Sequence, residues 1–399
     1  MKMKFGALLL TAVVFLAGCS GFWKIPPLSS SGGTTTTPTT LSSGVFYVLN
    51  QKAMQIAAYS IASGSLVQIS GSPYTLSAAP YCIAVAPSGG FLYVGTVSGI
   101  YLYSVQSGGG LTIGNNGTPV SSDIPAAMQV NGAWLIDAFV PNSGQVQFNA
   151  IPINALTGAY AGVGGAPPYQ VFSVVNATVN QMALSPDGTN LFAALGAGGT
   201  MVMPFNAGSS IPFGATARLI AVDNSNGSSL AVAVDPTNRL FYVGETLASS
   251  DSGGLRVFNY SSLGTGIPRA IPTEITGSPF ASGGLAPNAV FPAASGDYVY
   301  VANGQGTSGA GNIAWFPISV SGTNYSIAAG STIAAGIEPV SLAEDSNDSF
   351  LLAVSNGGST TSGDPDLEAY TMSSGALTAA ITTSTGIDPV GAVAVAALP

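Results

Sequence analysis

The sequence contains no histidine, few charged residues and only two cysteines. Its 399 residues include 8 Lys and Arg together, 17 Asp and Glu together, 52 Gly and 26 Pro. The absence of histidine excludes Ser-His-Asp and Cys-His catalysis, histidine-ligated zinc and imidazole-based pH sensing. Catalysis in this chain would therefore depend on carboxylates, tyrosine, lysine or backbone groups.

The scarcity of charge also limits the partners of the protein. Charged residues make up 6% of the chain, against roughly 25% in an ordinary soluble domain. The formal net charge of -9 repels phosphate, so nucleic acid and anionic lipid headgroups are unfavourable partners. The apolar fraction of 47% is nevertheless ordinary, and a chain of this length can bury a substantial core. The composition therefore indicates a folded protein with an uncharged polar surface.

Residues 1–18 have the pattern of a secretory signal peptide. Lys2 and Lys4 precede the apolar run 5–17, and the sequence LAGC ends at Cys19. A basic start, an apolar run too short to span a bilayer and small residues before a cleavage site are typical of such signals. LAGC resembles a bacterial lipobox, in which the cysteine becomes the mature N-terminus and carries lipid. The resemblance implies lipidation at Cys19, and an ordinary cleaved signal with an incidental cysteine is the alternative.

Residues 19–44 are expected to be the lipidated Cys19 and a tether. Residues 20–44 are rich in Ser, Thr, Pro and Gly, a composition that cannot bury a core. No other run of 18 apolar residues occurs, which predicts a protein anchored to the membrane without spanning it. Ser20, in place of Asp, resembles the pattern of lipoproteins sorted to an outer membrane. For a Gram-negative host the expected location is the cell envelope, at the outer membrane or the cell surface.

Cys82 is the other cysteine. If Cys19 carries lipid, Cys82 has no partner, which predicts a fold without an intrachain disulfide. Cys82 lies in the apolar run PYCIAVAP. We expect a free thiol packed as a small hydrophobic residue, and a reactive nucleophile is the alternative.

A unit of about 50 residues recurs from residue 45 onward. Each copy contains an apolar run, a turn of the Pro-Asp-Gly kind, a run rich in aromatic and β-branched residues, a Gly-rich loop and a further alternating run. Clear copies occupy residues 80–105, 180–205, 230–245, 287–303 and 339–356. This length suits four short strands. No 3.6-residue periodicity persists within the copies, so the pattern predicts an all-β fold.

The two ends of the repeat region complement each other. The region opens at residue 45 with VFYVLN, which matches the second run of a copy, and closes at 389–399 with PVGAVAVAALP, which matches a first run. Joining them completes one copy, and six internal copies bring the number to seven. The sequence therefore predicts a seven-bladed β-propeller over residues 45–399, closed by the C-terminal strand. An open array would leave a sheet edge and an apolar blade face exposed.

The second runs of the copies carry a family motif. They contain YVLN, YVGT, YVGE and YVAN, which resemble the YVTN repeat of the lactonase-like, seven-bladed β-propeller family. The resemblance covers residues 45–399 and implies a propeller whose name-giving members hydrolyse a sugar lactone. No catalytic motif of those enzymes matches this sequence residue by residue.

The residue that ends each second run forms an informative column. The column contains Asn50, Thr96, Gly196, Glu245, Asn303 and Asn356. In a propeller these positions lead into loops of one face, around the central channel. Asn is a turn former. Glu245 is the one carboxylate of the column, which makes it the candidate general base for opening a lactone with water. Structural capping is the alternative.

Carboxylates near the end of the chain form a candidate cation site. Asp364, Asp366 and Glu368 alternate in SGDPDLEAY. A further acidic group comprises Glu338, Glu344, Asp345 and Asp348. Oxygen ligands at this spacing can hold calcium, although the EF-hand pattern is absent. A solvated acidic rim is the alternative, and no other cofactor is expected.

Two further motifs carry less information. Residues 304–309 spell GxGxxG, but a strand pattern follows in place of the helix that a dinucleotide fingerprint requires, so we expect a loop. The other motif is a set of four arginines in neighbouring copies that can face different sides, which argues against a single anion pocket. These are Arg218, Arg239, Arg256 and Arg269.

Two functions follow from these observations. The favoured one is a lipid-tethered, monomeric propeller that binds a carbohydrate or protein partner, because the chain has few catalytic residue types and several Gly-rich loops. The alternative is a lactonase-like hydrolase of a sugar lactone or ester, of the 6-phosphogluconolactonase type, centred on Glu245. Hydrolysis needs a base with a tuned pKa and a group that stabilises the oxyanion. Carboxylates and arginines converging on one mouth of the channel would favour the enzyme.

Overall fold

The computed structural model describes residues 43–62, 64–162, 166–246, 252–306, 310–357, 366–382, 389 and 391–399. The predicted signal peptide, Cys19 and the tether up to residue 42 lie outside the described residues. The described chain forms antiparallel strands and two short 3₁₀ turns, Asn115–Gly117 and Tyr260–Leu263, and contains no α-helix. The predicted all-β class is therefore confirmed. Within the same residues, no helix is long and apolar enough to cross a membrane.

Twenty-nine strands alternate with turns in the part of the chain that the structure describes. The first sixteen are β1 (Ser43–Asn50), β2 (Gln55–Ala62), β3 (Ser65–Gln68), β4 (Tyr74–Thr75), β5 (Pro80–Val85), β6 (Phe91–Thr96), β7 (Gly99–Val105), β8 (Leu111–Ile113), β9 (Ala127–Val130), β10 (Trp134–Phe139), β11 (Gln145–Pro152), β12 (Tyr169–Ser173), β13 (Ala177–Leu184), β14 (Asn190–Gly196), β15 (Thr200–Pro204) and β16 (Arg218–Ile220). The others are β17 (Ser228–Val234), β18 (Leu240–Thr246), β19 (Ser252–Asn259), β20 (Phe280–Pro292), β21 (Tyr298–Gly306), β22 (Asn312–Ser321), β23 (Asn324–Ile327), β24 (Ser331–Ala334), β25 (Pro339–Glu344), β26 (Phe350–Ser355), β27 (Leu367–Ser373), β28 (Ala376–Thr382) and β29 (Ala392–Ala397).

The strands form five antiparallel sheets. Three are separate four-stranded sheets, β5 to β8, β9 to β12 and β25 to β28, and in each of them successive strands pair. A fourth sheet has the order β29-β1-β2-β3, with β4 paired to β2. The fifth contains the twelve strands β13 to β24. Within it, one residue pair, Gly196↔Ser229, joins β14 to β17, so the large sheet consists of successive antiparallel groups linked at their edges.

The two ends of the described chain meet in one sheet. β29 pairs with β1 from Phe46↔Ala397 to Asn50↔Ala392, as the complementary ends of the repeat region predict. Each separate sheet, and each antiparallel group of the large sheet, has a first strand in chain order, whereas in the sheet built from both ends the first strand is β29. The first strands of successive groups contact one another. The contacts join β5 to β9, β9 to β13, β13 to β17, β17 to β20, β20 to β25, β25 to β29 and β29 to β5.

The sheets pack against each other through apolar faces. In β6, Leu92 and Val94 pack with residues of β1 and β2 on one side, while Tyr93 packs with Leu135 and Ile151 on the other. Strands buried on both faces read as continuous apolar runs, which is why the second runs show no polar alternation. Each fully buried aliphatic or aromatic side chain contributes about 1.5–3 kcal/mol.

The tyrosine of the YV motif joins neighbouring sheets. Each of three buried tyrosines donates its hydroxyl to the carbonyl of a positive-φ glycine in the turn between the third and fourth strands of the next sheet. The pairs are Tyr47 with Gly109 (2.8 Å), Tyr93 with Gly158 (2.7 Å) and Tyr300 with Gly375 (2.8 Å). The repeated YV pair therefore supplies both core packing and a hydrogen bond between sheets.

Candidate functional site

The second strands of the groups end at one face of the molecule, called here the strand-end face. A residue at or near each of these ends pairs with a residue of a first strand, at or next to the start of that strand in most groups and inside β20 for Asn303. The pairs are Asn50↔Ala392, Thr96↔Pro80, Gly196↔Ala177, Glu245↔Ser229, Asn303↔Pro287 and Ser355↔Pro339. Because the first strands also contact one another, the column singled out in the sequence lies at one end of the molecule. In the group of β25 to β28, Ser355 takes the column position in place of the predicted Asn356, which follows the end of β26.

A β-bulge recurs beside this face, and the sequence pattern did not reveal it. The register shifts between Pro80 and Cys82, between Pro287 and Ala289, and between Pro339 and Ser341. Bulges re-aim side chains, often next to functional sites. The residues skipped here, Tyr81, Asn288 and Val340, line a narrow cavity of 190 Å³ between the first strands.

The amide side chains in this central cavity hold neighbouring first strands together. Gln129 donates to the Met182 carbonyl at 2.7 Å, and Asn288 donates to the Pro339 carbonyl at 3.1 Å. The described lining of this cavity contains no charged side chain. Gln129 and Asn288 therefore have a structural role at the central cavity, and Glu245 lies outside its described lining.

Glu245 is buried inside an ion-pair network. It is 1% exposed, and one carboxylate oxygen accepts the Asp223 backbone N–H while the other lies 3.1 Å from Arg256 Nη1. Arg256 also contacts Glu274 at 2.6 Å and donates to the Ala221 carbonyl at 2.8 Å. Burial raises the pKa of Glu245, and the charge of Arg256 and the bond from Asp223 offset only part of that rise.

This network fits the capping alternative for Glu245, because the carboxylate fixes the segment that follows β16 (Arg218–Ile220). The raised pKa also fits a general base, so the catalytic role of Glu245 stays a prediction. Carboxylates and an arginine do converge here, but the convergence lies beneath the surface and outside the lining of the central cavity.

A second cavity, called the Glu338 cavity, opens beside Glu245 on the strand-end face. It has a volume of 380 Å³. Its lining comprises Thr246, Leu285, Ala286, Asn288, Gly304, Gln305, Ile337 and Glu338. Glu338 and Gln305 are exposed. Ala286 and Glu338 have φ values of 51° and 58°, which non-glycine residues rarely adopt and which cluster at functional sites.

The predicted calcium ligands are held by backbone groups where they are described. Asp366 accepts the Gly391 N–H at 2.8 Å, and Glu368 accepts the Gly336 N–H at 2.8 Å. Asp364 lies outside the described residues. The part of the chain that is described has no group of three or more Asp, Glu or Cys side chains arranged to hold a metal ion. Calcium at this site therefore stays a prediction.

The other acidic group is divided between the two ends of β25 (Pro339–Glu344). Glu338 precedes the strand at the strand-end face, whereas Glu344 accepts the Ala294 N–H at 2.8 Å and Asp345 accepts the Ser349 N–H at 2.7 Å at the opposite end. Of this group, only Glu338 lines the described cavity.

The arginines are also dispersed. Arg256 lies at the strand-end face, while Arg239 pairs with Asp235 at 2.8 Å in the turn between β17 and β18, at the opposite end. Arg269 donates to Asn190 at 2.7 Å. These partners do not form one anion pocket among the described residues.

Part of the GxGxxG motif is strand rather than loop. Gly304, Gln305 and Gly306 extend β21, where Gln305 pairs with Leu285. The expected loop is therefore wrong for these three residues, because pairing with the long strand β20 continues past Asn303. Residues 307–309 lie outside the described residues, and β22, a strand, follows at Asn312.

Cys82 is a buried free thiol, as predicted. It is 8% exposed and packs with Ala84, Met128 and Leu135. Burial, followed by the nearby Asp137 carboxylate, raises the pKa of the thiol, so Cys82 is a poor nucleophile.

Two carboxylates that sequence reasoning missed lie near Cys82. Asp137 is 0% exposed in β10 (Trp134–Phe139) and accepts a hydrogen bond from Asn149 at 3.0 Å. Asp123, in the segment before β9, lies against Asp137. The available signal was an acidic residue inside the otherwise apolar run WLIDAF.

Comparison with known proteins identifies structural relatives only. No family model matches the sequence, and a search of curated proteins gives no match. A periplasmic gluconolactonase from Pseudomonas aeruginosa has a TM-score of 0.63 at 16% identity, covering 90% of this chain and 99% of that chain. A candidate 6-phosphogluconolactonase from Bacteroides fragilis has a TM-score of 0.62 at 15% identity, covering 91% and 100%.

A functionally unknown protein from Desulfotomaculum acetoxidans has a TM-score of 0.61 at 11% identity, covering 89% of this chain and 99% of that chain. Identities this low show the fold alone. The chain therefore has the β-propeller fold that the two lactonase structures share.

Proposed function

We propose that this protein is a lipid-anchored, seven-bladed β-propeller of the cell envelope that binds a neutral carbohydrate in the Glu338 cavity. The observation that carries the proposal is the lining of that cavity. It combines the Glu338 carboxylate, the Gln305 amide, the Thr246 hydroxyl and Asn288, whose Nδ2 also donates to the Pro339 carbonyl. A carboxylate accepts hydrogen bonds, and amides both donate and accept.

This combination suits a polyol, because every sugar hydroxyl both donates and accepts hydrogen bonds. The described lining of the Glu338 cavity contains no Lys or Arg. A phosphate group would therefore lack a cationic partner and would face Glu338 directly. The proposed ligand is accordingly an unphosphorylated sugar or sugar acid lactone.

Seven blades account for the contacts of the first strands. The contacts run from β5 through β9, β13, β17, β20 and β25 to β29, and β29 contacts β5. Pairing of β29 with β1 supports a composite last blade built from both chain ends. In such a ring the twelve-stranded sheet comprises three blades that share edge pairs.

The test is calorimetric titration of the full-length chain with D-glucono-1,5-lactone, D-gluconate and a panel of neutral oligosaccharides. We expect at least one of them to bind and Glu338→Gln to weaken that binding about tenfold, since hydrogen bonds to a charged group are worth about 1.5–3 kcal/mol. Asp297→Asn is the matched control, because Asp297 is exposed in a turn at the opposite end. Absence of binding across the panel, or equal binding by E338Q, would contradict the proposal.

Lactone hydrolysis is the second candidate function. It is favoured by the fold shared with the periplasmic gluconolactonase from Pseudomonas aeruginosa and by the raised pKa of Glu245, which burial causes. We expect turnover of D-glucono-1,5-lactone above the buffer rate, and a loss of about 10²-fold or more in Glu245→Gln, the range that a general base contributes.

The outcomes of this assay separate the two carboxylates. Loss of turnover in E245Q with unchanged circular dichroism would assign the base to Glu245. Turnover kept in E245Q and lost in E338Q would place the reaction in the Glu338 cavity. A rate equal to that of the buffer would exclude the hydrolase.

A further inference from the structure

A third cavity, called the Asp123 cavity, lies beside β5, β9 and β10 and has a volume of 710 Å³. It is lined by Tyr81, residues 122–126 and residues 139–141. Most of this lining is apolar or aromatic, and Tyr81, Ile124 and Val140 are 43%, 51% and 36% exposed. The one charged group in the described lining is Asp123. A cavity of this size with few polar groups is typical of a small-molecule site.

A second carboxyl group, that of Asp137, lies next to Asp123 and outside the lining of the cavity. Asp137 is completely buried behind Asp123, and its Oδ1 accepts from Asn149 Nδ2 at 3.0 Å. Asp137 Oδ2 is buried and has no donor among the described residues. The Asp137 side chain faces the Asp123 carboxyl group. Since two ionised carboxylates repel, the neighbouring Asp123 favours the protonated form of Asp137.

The surroundings of this pair supply no positive charge. The titratable groups that face Asp137 are Asp123, from the segment before β9, and the Cys82 thiol of β5. Asn149 faces it from β11 and carries no charge. Burial, followed by the charge of Asp123, raises the pKa of Asp137 well above its ordinary value. Asp123 itself accepts a hydrogen bond from Ser121 Oγ at 2.6 Å, which fixes its orientation.

A cation bound at Asp123 would offset the repulsion that favours the protonated form of Asp137. Ammonium ions donate to carboxylates and interact favourably with aromatic faces, which Tyr81 and Phe139 provide. The apolar remainder of the lining requires an apolar body on the ligand. Inorganic cations do not meet this requirement.

We propose that the Asp123 cavity binds an organic ammonium ion with an apolar body, with the ammonium group on Asp123 and the proton of Asp137 released to solvent. The ammonium group keeps its own protons, so one bound cation replaces one released proton. Affinity therefore increases with pH until Asp137 is ionised without ligand. The Glu338 cavity is a separate site on other strands, and the two proposals stand or fall independently.

The test uses 2-phenylethylammonium as the probe, titrated calorimetrically into the full-length chain between pH 5 and 8 in two buffers of different ionisation enthalpy. We expect binding with proton release, and an affinity at least about tenfold lower in Asp123→Asn. Asp137→Asn keeps an isosteric polar partner for Asp123, so it is expected to bind without proton release. Asp297→Asn is the control for loss of a remote acidic residue.

Neutral 2-phenylethanol and anionic 3-phenylpropionate distinguish charge recognition from apolar binding. Equal binding of either compound, unchanged affinity in D123N, or no binding of the ammonium probe would overturn the proposal. Circular dichroism identifies a variant that fails to fold. In that case the dependence of binding enthalpy on buffer in the unsubstituted protein decides, because binding without proton release contradicts the proposed release of the Asp137 proton.

Discussion

At the scale of single residues, the repeated tyrosines explain why the YV pair recurs. Tyr93 donates to the Gly158 carbonyl across a sheet boundary at 2.7 Å. Tyr242 occupies the same place in YVGE, but its buried hydroxyl has no hydrogen-bond partner among the described residues. The same residue type is therefore engaged in one copy and unsatisfied in another.

This difference predicts opposite results for the same substitution. Tyr93→Phe leaves the Gly158 carbonyl without its donor, so we expect a loss of about 1–2 kcal/mol in the free energy of unfolding. Tyr242→Phe removes an unsatisfied buried hydroxyl and should change stability by less than about 0.5 kcal/mol or increase it. Urea unfolding of the two variants, followed by circular dichroism, measures both. Equal losses in Y93F and Y242F would show that the hydroxyl bond adds nothing.

Polar side chains in the interior have two kinds of role. Gln129 and Asn288 hold neighbouring first strands at the central cavity, and Glu245 with Arg256 holds a connecting segment. Glu338, by contrast, is exposed in a cavity while its backbone has φ 58°. The first group forms hydrogen bonds to other parts of the fold, whereas the exposed carboxylate of Glu338 is available to the proposed ligand.

At the scale of strands, alternation and apolar runs were sufficient to predict the class of the fold and the pairing of both chain ends. The run that includes Leu92, Tyr93 and Val94 is apolar at both odd and even positions, because each face of the strand packs against a different sheet. VFYVLN and the run GAVAVAALP are complementary in the sequence, and Phe46 and Ala397 are partners in the structure.

The site was less predictable, because its geometry depends on register and on contacts between distant residues. A bulge shifts the pairing by one residue at Tyr81 and Asn288, and no composition signal marks it. The sequence placed Glu245 at the right position of its strand. It did not predict the ion pair with Arg256, which depends on how β18 pairs with β19. Asp123 meets Asp137 from a segment outside the repeat pattern.

Deleting residues 391–399 tests the pairing of the two ends. The truncation removes β29 and so exposes the edge of β1 from Phe46 to Asn50. It also uncovers the apolar residues of β26 and β27 against which β29 packs. We expect cooperative thermal unfolding to be lost and soluble aggregates to appear in size-exclusion chromatography, since a bare edge strand is a template for association. Removal of Pro399 alone is the control and should leave the transition intact. A sharp transition in the longer truncation would refute the importance of this pairing.

At the scale of the whole molecule, the entry of the chain and the proposed ligand site lie at opposite ends. β1 runs from Ser43 to Asn50 and ends at the strand-end face, so Ser43 lies at the other end. The Glu338 cavity opens at the strand-end face. A chain attached to a membrane through residues before Ser43 would therefore have its attachment at the end opposite this cavity, which leaves the cavity accessible to an envelope carbohydrate.

That orientation depends on the anchor, which the sequence predicts at Cys19. LAGC ends at Cys19 after a basic start and a short apolar run, and a Ser/Thr/Pro/Gly-rich segment separates it from Ser43. We expect mass spectrometry of the membrane fraction from expressing Gram-negative cells to find a mature chain that starts at Cys19 and carries covalent lipid. Cys19→Ser removes the thiol that accepts lipid, so its N-terminal peptide should lack the modification and the protein should leave the membrane fraction. Two acyl signals suffice for stable anchoring, whereas one gives only marginal binding, so the number of chains found also decides whether the anchor alone holds the protein. An unmodified Cys19 in the membrane fraction, or a mature chain beginning elsewhere, would mean that the protein reaches its ligand without this orientation.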